Sequence, residues 1–354
     1  MMKILLLSAY DIDSHKRWRL GLTAVFPEHE WIVLSLPPRF FRWRIRGAPI
    51  SWSLYENEAL RGAYDLIVAT SMADVATLRG VYPNLARVPL LVYFHENQLA
   101  YPCSGAQHDS IDPAMVNIYA ALAADSVVFN TTFNQASFLA GLESLIARLP
   151  DAVDAELCRR IRDKSRVIPV PLEDELWRFA GEEKGDEPLT IAWNHRVEYD
   201  KGVDDLLKIL RRLRERTHDF RLILLGRRFR QAPHAWGQLQ EEFAAHLLFD
   251  GYAESREEYW RWLSRAHVAL STAQHEFQGL AVMEAAALGC APVTPDRLSY
   301  PELFPQCRRY QNEAEAVELL LDARSRRVCD MREYGWSAMR DVYADVLSAT
   351  ADRS

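Results

Sequence analysis

Two successive series of short, continuously apolar runs constrain the fold of this chain more than any other feature. The first series is Lys3-Ile-Leu-Leu-Leu-Ser8, Trp31 to Leu36, Asp65 to Ala69, Leu90 to Phe94 and Ser126 to Asn130. These runs have apolar interiors that do not alternate with polar residues, the pattern of strands covered on both faces in a parallel sheet. Stretches suited to helices lie between them, such as Met72 to Leu78 and Asp112 to Ala124, so the order reads as a βα repeat. The second series is Leu189 to Trp193, Phe220 to Leu225, His246 to Phe249, His267 to Leu270 and Ala291 to Thr294. Between its first two members, Val203, Leu206, Leu207, Leu210 and Leu213 recur at helical spacing within Val203 to Arg216.

The segment Phe179-Ala-Gly-Glu-Glu-Lys-Gly-Asp-Glu-Pro188 separates the series and has the glycine, proline and charge content of a linker. The expected fold is therefore α/β with two Rossmann-like domains, residues 1–180 and 188–325, joined by a hinge. A helical tail over 326–354, carrying Tyr334, Met339, Val342, Tyr343 and Val346, is expected to pack back across the domain joint. With 354 residues, 49% of them apolar, the chain can supply two cores.

Composition excludes several classes. No apolar run reaches about 18 residues, so stable membrane insertion is not expected, and the cytoplasm is the expected location. The cysteines Cys103, Cys158, Cys290, Cys307 and Cys329 are odd in number and far apart, which suggests neither a disulfide framework nor a thiolate metal site. A formal net charge of -7 leaves nucleic-acid binding to local basic patches. Neither a Gly-x-Gly-x-x-Gly nor a Gly-x-x-x-x-Gly-Lys-[Ser/Thr] run is present, which argues against nicotinamide enzymes and ATPases built on those motifs.

In an open α/β sheet the ligand crevice lies at the carboxyl ends of the strands. Here one such end reads Ile191-Ala-Trp-Asn-His-Arg196-Val-Glu-Tyr-Asp-Lys201-Gly202. Arg196 and Lys201, beside a helix N-terminus, suit a diphosphate: a planar fork, a mobile point charge and free backbone amides. The plain alternative is a pair of solvated surface charges. Asn194 is placed to orient the loop, and His195 reads as a spacer or a local hydrogen-bond partner rather than a base.

A second strand end carries Glu276-Phe-Gln-Gly279, followed by a helix containing Glu284. A glutamate among alanines and leucines needs a partner to offset its desolvation. Sugar hydroxyls suit Glu276, with Phe277, Gln278, Gly279 and Leu280 lining the loop, and a nucleotide ribose suits Glu284. The alternative makes Glu284 the exposed side of a surface helix and Glu276 a first-turn acid favoured by the helix dipole. Gly226 and Tyr252 sit at later strand ends and are candidates for a base pocket. The seven residues separating Glu276 from Glu284, together with Arg196 and Lys201-Gly202, resemble the signature of retaining glycosyltransferases of the two-Rossmann type. That resemblance implies a GT-B fold with two domains facing across a cleft.

The first domain adds polar strand ends of its own. In Leu91-Val-Tyr-Phe-His95-Glu-Asn-Gln98, His95 is a candidate contact to a transferred sugar or a loop brace. Glu96, Asn97 and Gln98 are candidates to orient the sugar or touch an acceptor, and the loop Asn130 to Asn134 is placed to brace them. The helix start near Ser14, His15, Lys16 and Arg17 offers positive charge, with Ser14 as a plausible cap. Arginines alternate with aromatic residues in Pro37-Pro-Arg39-Phe-Phe-Arg42-Trp-Arg44-Ile-Arg46. Arg42, Arg44 and Arg46 suit RNA phosphates with the aromatics stacking on bases, and the same composition suits a membrane surface.

Four of these segments, Asp13 to Trp18, Tyr93 to Leu99, Phe129 to Asn134 and Trp193 to Lys201, together resemble the tRNA-queuosine alpha-mannosyltransferase family over about Lys3 to Pro301. That resemblance implies transfer of mannose from GDP-mannose to the cyclopentenediol of queuosine at a tRNA wobble position, with retention of configuration. Arg196, Lys201, Glu276 and His95 would then be the catalytic set, and no cofactor or metal would be required. A lipid- or polysaccharide-directed glycosyltransferase of the same fold and a non-enzymatic RNA-binding module are the competing expectations.

Overall fold

The computed structural model describes residues 1–101, 110–148, 156–181, 188–228, 233–323 and 329–353. Cys103, Phe229, Val328 and the middle of the expected linker, 182–187, lie outside the described residues. The chain forms two units: Met1–Pro171 with Trp336–Ser354, and Leu172–Gly335.

The first unit is built on six parallel strands, β1 (Lys3–Ser8), β2 (Glu30–Ser35), β3 (Leu66–Thr70), β4 (Leu90–Phe94), β5 (Ser126–Phe129) and β6 (Ser165–Val167). Their order is β2-β1-β3-β4-β5-β6. Every residue of β3 and β4 is buried, which is why those runs read as continuously apolar. The strand order reverses between β1 and β3, and such a switch point opens a crevice at the carboxyl ends of the flanking strands.

The second unit repeats the plan with β7 (Leu189–Trp193), β8 (Phe220–Leu225), β9 (Leu247–Gly251), β10 (Val268–Leu270), β11 (Ala291–Pro295) and β12 (Arg309–Tyr310). Its order is β12-β11-β10-β7-β8-β9, all parallel. Here the order reverses between β7 and β10. The expected strands β1, β4, β7 and β8 have the observed bounds, whereas β6 and β12 escaped sequence reading because three and two residues are too few to show a pattern.

The domain boundaries differ from the expected 1–180, 188–325 and 326–354. The chain leaves the first unit at Pro171, and the turn of helix Asp174–Phe179 already belongs to the second. It returns at Trp336, so the terminal helix Trp336–Ala351 is an integral part of the first unit. Trp18 Nε1 donates to Tyr343 Oη at 3.0 Å, and Tyr343 Oη donates to the Pro169 carbonyl at 3.0 Å. Trp336 lies so close to Gly21 that a Cβ there would meet its Nε1 at 2.1 Å. Ser14 is not the cap of helix Asp13–Val25: Ile12 holds that position without a side-chain bond, and Ser14 lies inside the first turn.

The segment read as an arginine-aromatic alternation is largely a helix, Phe41–Tyr55, despite Pro49 inside it. Proline removes one backbone bond there; burial of Ile45, Ala48 and Trp52 on one face supplies the compensating packing.

Candidate functional site

In the second unit, the loops leaving β7 and β10 straddle the switch point and are tied to each other through their backbones. The Thr272 hydroxyl donates to the Lys201 carbonyl at 2.8 Å, and the Gln274 and His275 amides donate to the Asp200 carbonyl at 2.8 and 3.1 Å. Gly202 takes φ 66°, and a Cβ at that position would meet the Thr272 carbonyl oxygen at 2.0 Å. Only glycine tolerates both the left-handed backbone and the approach. Gly226 plays the matching part at the end of β8, where a Cβ would meet the His195 carbonyl oxygen at 1.9 Å.

This knitting brings Lys201 and Glu276 together. Lys201 is buried; its Nζ donates to the His275 carbonyl at 2.8 Å and lies 3.3 Å from Glu276 Oε2 and 3.1 Å from Asp200 Oδ2. Glu276 Oε1 accepts the Phe277 amide at 3.1 Å. Burial by itself would raise the Glu276 carboxyl, but Lys201, His195 and the Gly279 amide outweigh it and hold the group at about 2. Burial likewise opposes the charge on Lys201, while Glu276 and Asp200 raise it above the ordinary lysine value. The site thus keeps a buried, mutually supported ion pair at the mouth of a parallel sheet. Arg196 is more open, with its Nη1 3.1 Å from Glu198 Oε2.

His195 is buried between them, with Nε2 lacking a partner among the described residues. Burial first and Lys201 next push it down to about 4, so it is neutral at physiological pH. Asn194 Nδ2 donates to Tyr259 Oη at 2.9 Å and to the Ala281 carbonyl at 2.6 Å, which fastens the first turn of helix Leu280–Ala287 to the end of β7. Gly279 caps that helix at φ 84°, with Tyr300 close beneath it. Phe277 and Gln278 are buried; Leu280 is half-buried and opens the helix.

Glu284 is not on an exposed helix face. It is buried and pairs with Arg256, whose Nε also donates to Glu173 Oε2 at 2.9 Å. Burial opposes the Arg256 charge, but the two carboxylates raise it above the ordinary value. Sequence reading missed Arg256. Its signal was the Ser255-Arg-Glu-Glu258 start after β9: Ser255 accepts the Glu258 amide at 3.1 Å while Glu258 accepts the Glu254 amide at 2.7 Å. The Ser255 cap marks a helix start at a strand's carboxyl end. Asp200, which shares Lys201 with Glu276, was also missed. Tyr252 is exposed and carries the Arg227 guanidinium 5.2 Å from its ring centre.

In the first unit, His95 follows β4 and is buried, with its Nε2 unpartnered among the described residues. The Asn130 to Asn134 loop braces this turn: Asn130 Nδ2 donates to the His95 carbonyl at 2.8 Å and Asn134 Nδ2 to the Phe94 carbonyl at 2.9 Å. Asn97 turns inward, donating to Asn134 Oδ1 at 2.8 Å and accepting the Ala100 amide at 2.8 Å. It shapes the loop. The Gln98 amide donates to Asn117 Oδ1 at 2.7 Å, and the side chain is half-buried.

The basic residues separate. His15 is fully buried against His95, with its Nε2 3.0 Å from Glu96 Oε2. Lys16 is exposed, and Arg17 Nε donates back to the Asp13 carbonyl at 3.3 Å. Arg44 is buried with Nη1 on Ser51 Oγ at 3.3 Å, and Arg46 pairs with Asp74 at 2.9 Å. Arg42 is exposed, as is Arg39. Arg44 faces away from Arg42 and Arg46 because helix phase carries every second residue to another side while residues four apart share one.

Residues 3–172 match the family described as tRNA-queuosine alpha-mannosyltransferase N-terminal, and residues 173–306 match glycosyl transferases group 1. A Drosophila melanogaster protein described as tRNA-queuosine alpha-mannosyltransferase is 31% identical over 317 residues, covering 87% of this chain and 83% of the relative. Among solved structures, Anabaena Alr3699/HepE in complex with UDP superposes with a TM-score of 0.68 at 15% identity, covering 98% of this chain and 100% of that one. Sucrose-phosphate synthase from Thermosynechococcus elongatus gives 0.67 at 16%, with 98% and 100% covered. These likenesses establish the GT-B fold, and the match over most of the chain shows that it belongs to the tRNA-queuosine alpha-mannosyltransferase family.

Proposed function

We propose that this chain transfers mannose from GDP-mannose to the cyclopentenediol of queuosine at the wobble position of a tRNA, with retention of configuration, and that it works in the cytoplasm. The observation that carries the donor half is the Lys201–Glu276 pair at the β7/β10 switch point, where a diphosphate and a hexose meet opposite charges side by side. Arg196 and Lys201 stabilise the negative charge that grows on the departing diphosphate. Glu276 accepts from hexose hydroxyls, Glu284 from the ribose, and Gly226 and Tyr252 border the base. His95 bonds a hydroxyl of the transferred sugar.

The acceptor hydroxyl attacks from the face the diphosphate leaves, and the leaving oxygen takes its proton. No separate base is then required, and the two cations do the neutralising that a metal would otherwise supply. On the acceptor side we assign the tRNA contact to Arg39, Phe40, Arg42 and Trp43, with Lys16. Phe40 is 71% exposed and Trp43 50% exposed, and no acidic residue occurs from Pro37 to Tyr55. Exposed rings beside arginines that have no carboxylate within their own segment suit unpaired bases and their phosphates.

The test is nucleoside mass analysis of queuosine-containing tRNA after incubation with the chain and GDP-mannose or, separately, UDP-sugars. A hexose added to queuosine only with GDP-mannose is expected; no gain in mass with any donor overturns the proposal. Phe40→Ala with Trp43→Ala should weaken tRNA binding while GDP binding persists. Binding of the native chain to anionic liposomes without tRNA binding would favour the lipid-directed reading instead.

A further inference from the structure

His95 is not held by its backbone alone. Its ring stacks on that of His15 with centroids 4.1 Å apart and planes 22° apart, and Trp18 presents an edge at 5.0 Å and 85°. Tyr93 closes a third side at 4.7 Å. His15 in turn has Nε2 3.0 Å from Glu96 Oε2, and the Glu96 backbone is fixed by Ser71 Oγ, which donates to its carbonyl at 3.0 Å. The stacked partners come from different elements, helix Asp13–Val25 and the loop after β4, so the stack is a tertiary device. A solvent-facing cation at the helix start, as the sequence reads His15, is not what the fold builds.

We infer that Glu96 and His15 are a positioning pair for His95: Glu96 fixes the rotation of the His15 ring, and that ring fixes the plane in which His95 Nε2 meets a sugar hydroxyl. The inference rests on the role proposed above for His95. Two rings stacked this closely out of water resist carrying a proton each, because like charges at that distance repel strongly in a low dielectric. The carboxylate beside His15 Nε2 gives that ring a fixed partner, which His95 Nε2 lacks among the described residues. His95 then stays neutral, and burial first and His15 second do hold it well below the ordinary histidine value. Among the described residues, the titratable groups around the stack are His15 and Glu96, with Tyr93 and Tyr343 behind them. Burial raises both phenols, so they stay protonated at the pH values concerned. A histidine locked in one plane and one protonation state loses little freedom when it bonds substrate.

The experiment reads the pair twice on the full chain. First, histidine ring nitrogens are followed by NMR against pH in the native protein, His15→Gln and Glu96→Gln, with the His95 signal assigned by its loss in His95→Gln. His95 should titrate at higher pH in His15→Gln than in the native chain, because one of the two influences that lower it is gone. Second, mannosyl transfer is measured at saturating donor. Glu96→Ala should lower kcat by up to about a hundredfold, the scale of a misplaced catalytic contact, with GDP affinity unchanged. Glu96→Gln, which keeps an oxygen to accept the His15 Nε2–H, should recover most of that loss. The acid limb of the rate profile should move up in His15→Gln together with the His95 titration.

An unmoved His95 titration in His15→Gln, or equal losses in Glu96→Ala and Glu96→Gln, overturns the inference. If the native chain transfers no sugar yet the His95 titration moves as stated, the pairing stands and the proposed reaction is what fails.

Discussion

Replacing Lys201 with methionine separates a buried structural ion pair from a solvated phosphate clamp. Methionine keeps the length of the stem and removes the ammonium that reaches the His275 carbonyl, Glu276 and Asp200. Two carboxylates are then stranded, Asp200 buried and Glu276 mostly so. A carboxyl held at about 2 against an ordinary 4.5 corresponds to roughly 3 kcal/mol, and breaking a buried pair by removing one partner costs about 3–5 kcal/mol. For a unit of this size that lowers the unfolding midpoint by on the order of 10 °C. The pH dependence follows from the sign of the shift. In the native chain the Glu276 contribution is fully present above its ordinary value and is lost as pH falls through about 2. Without Lys201, burial dominates and raises the carboxyl above its ordinary value, which reverses the sign: the variant loses stability as pH rises through that value and the stranded carboxylate ionises.

The assay is thermal unfolding between pH 4 and 8, alongside calorimetric GDP binding. Lys201→Met should lose both stability and GDP affinity. Adding Glu276→Gln should return part of the stability, since it removes one stranded charge. Arg196→Ala, whose pairing with Glu198 involves a side chain 36% exposed, should lose turnover with the midpoint within about 2 °C, as partly exposed pairs are worth about 0–1 kcal/mol. A Lys201→Met midpoint equal to the native one would refute the buried-pair account and return Lys201 to a simple phosphate contact.

Other outcomes follow from single contacts. Arg256→Met leaves Glu284 and Glu173 without their shared cation, so GDP should bind at least tenfold more weakly, about 1.4 kcal/mol; an unchanged calorimetric Kd would remove Arg256 from the site's support. Gly226→Ala forces a Cβ onto the His195 carbonyl and should lower the midpoint of unfolding by several degrees, readable by circular dichroism. His195, held at about 4 against an ordinary 6.5, binds a proton more readily when unfolded, so stability should fall by roughly 3 kcal/mol as pH drops from 6.5 to about 4. In His195→Gln the denaturant-measured slope over that window should flatten.

Much of the molecule is legible in the order of residues. Runs such as Leu90–Phe94 are apolar on both faces because parallel strands between helix layers have no wet side. Polar groups immediately after such runs mark the carboxyl ends where ligands bind, which is how Arg196, Lys201, Glu276 and His95 could be singled out without coordinates. The helix Phe41–Tyr55 was hidden by Pro49 and by aromatic residues of low helical preference, and Arg256 was passed over because its two acidic partners lie 83 and 28 residues away.

The sequence by itself determined the two βα series, the strand ends that carry chemistry and, through its motifs, the family. Only the tertiary structure decided that β10 pairs with β7, which joins Lys201 to a glutamate 75 residues farther along. It alone turned Arg44 inward, seated His15 on His95 and returned the last helix to the first unit. The reason is physical: strand neighbours are chosen by backbone hydrogen bonds that are blind to side-chain identity, and a side chain's surroundings depend on helix phase and on elements distant in the chain.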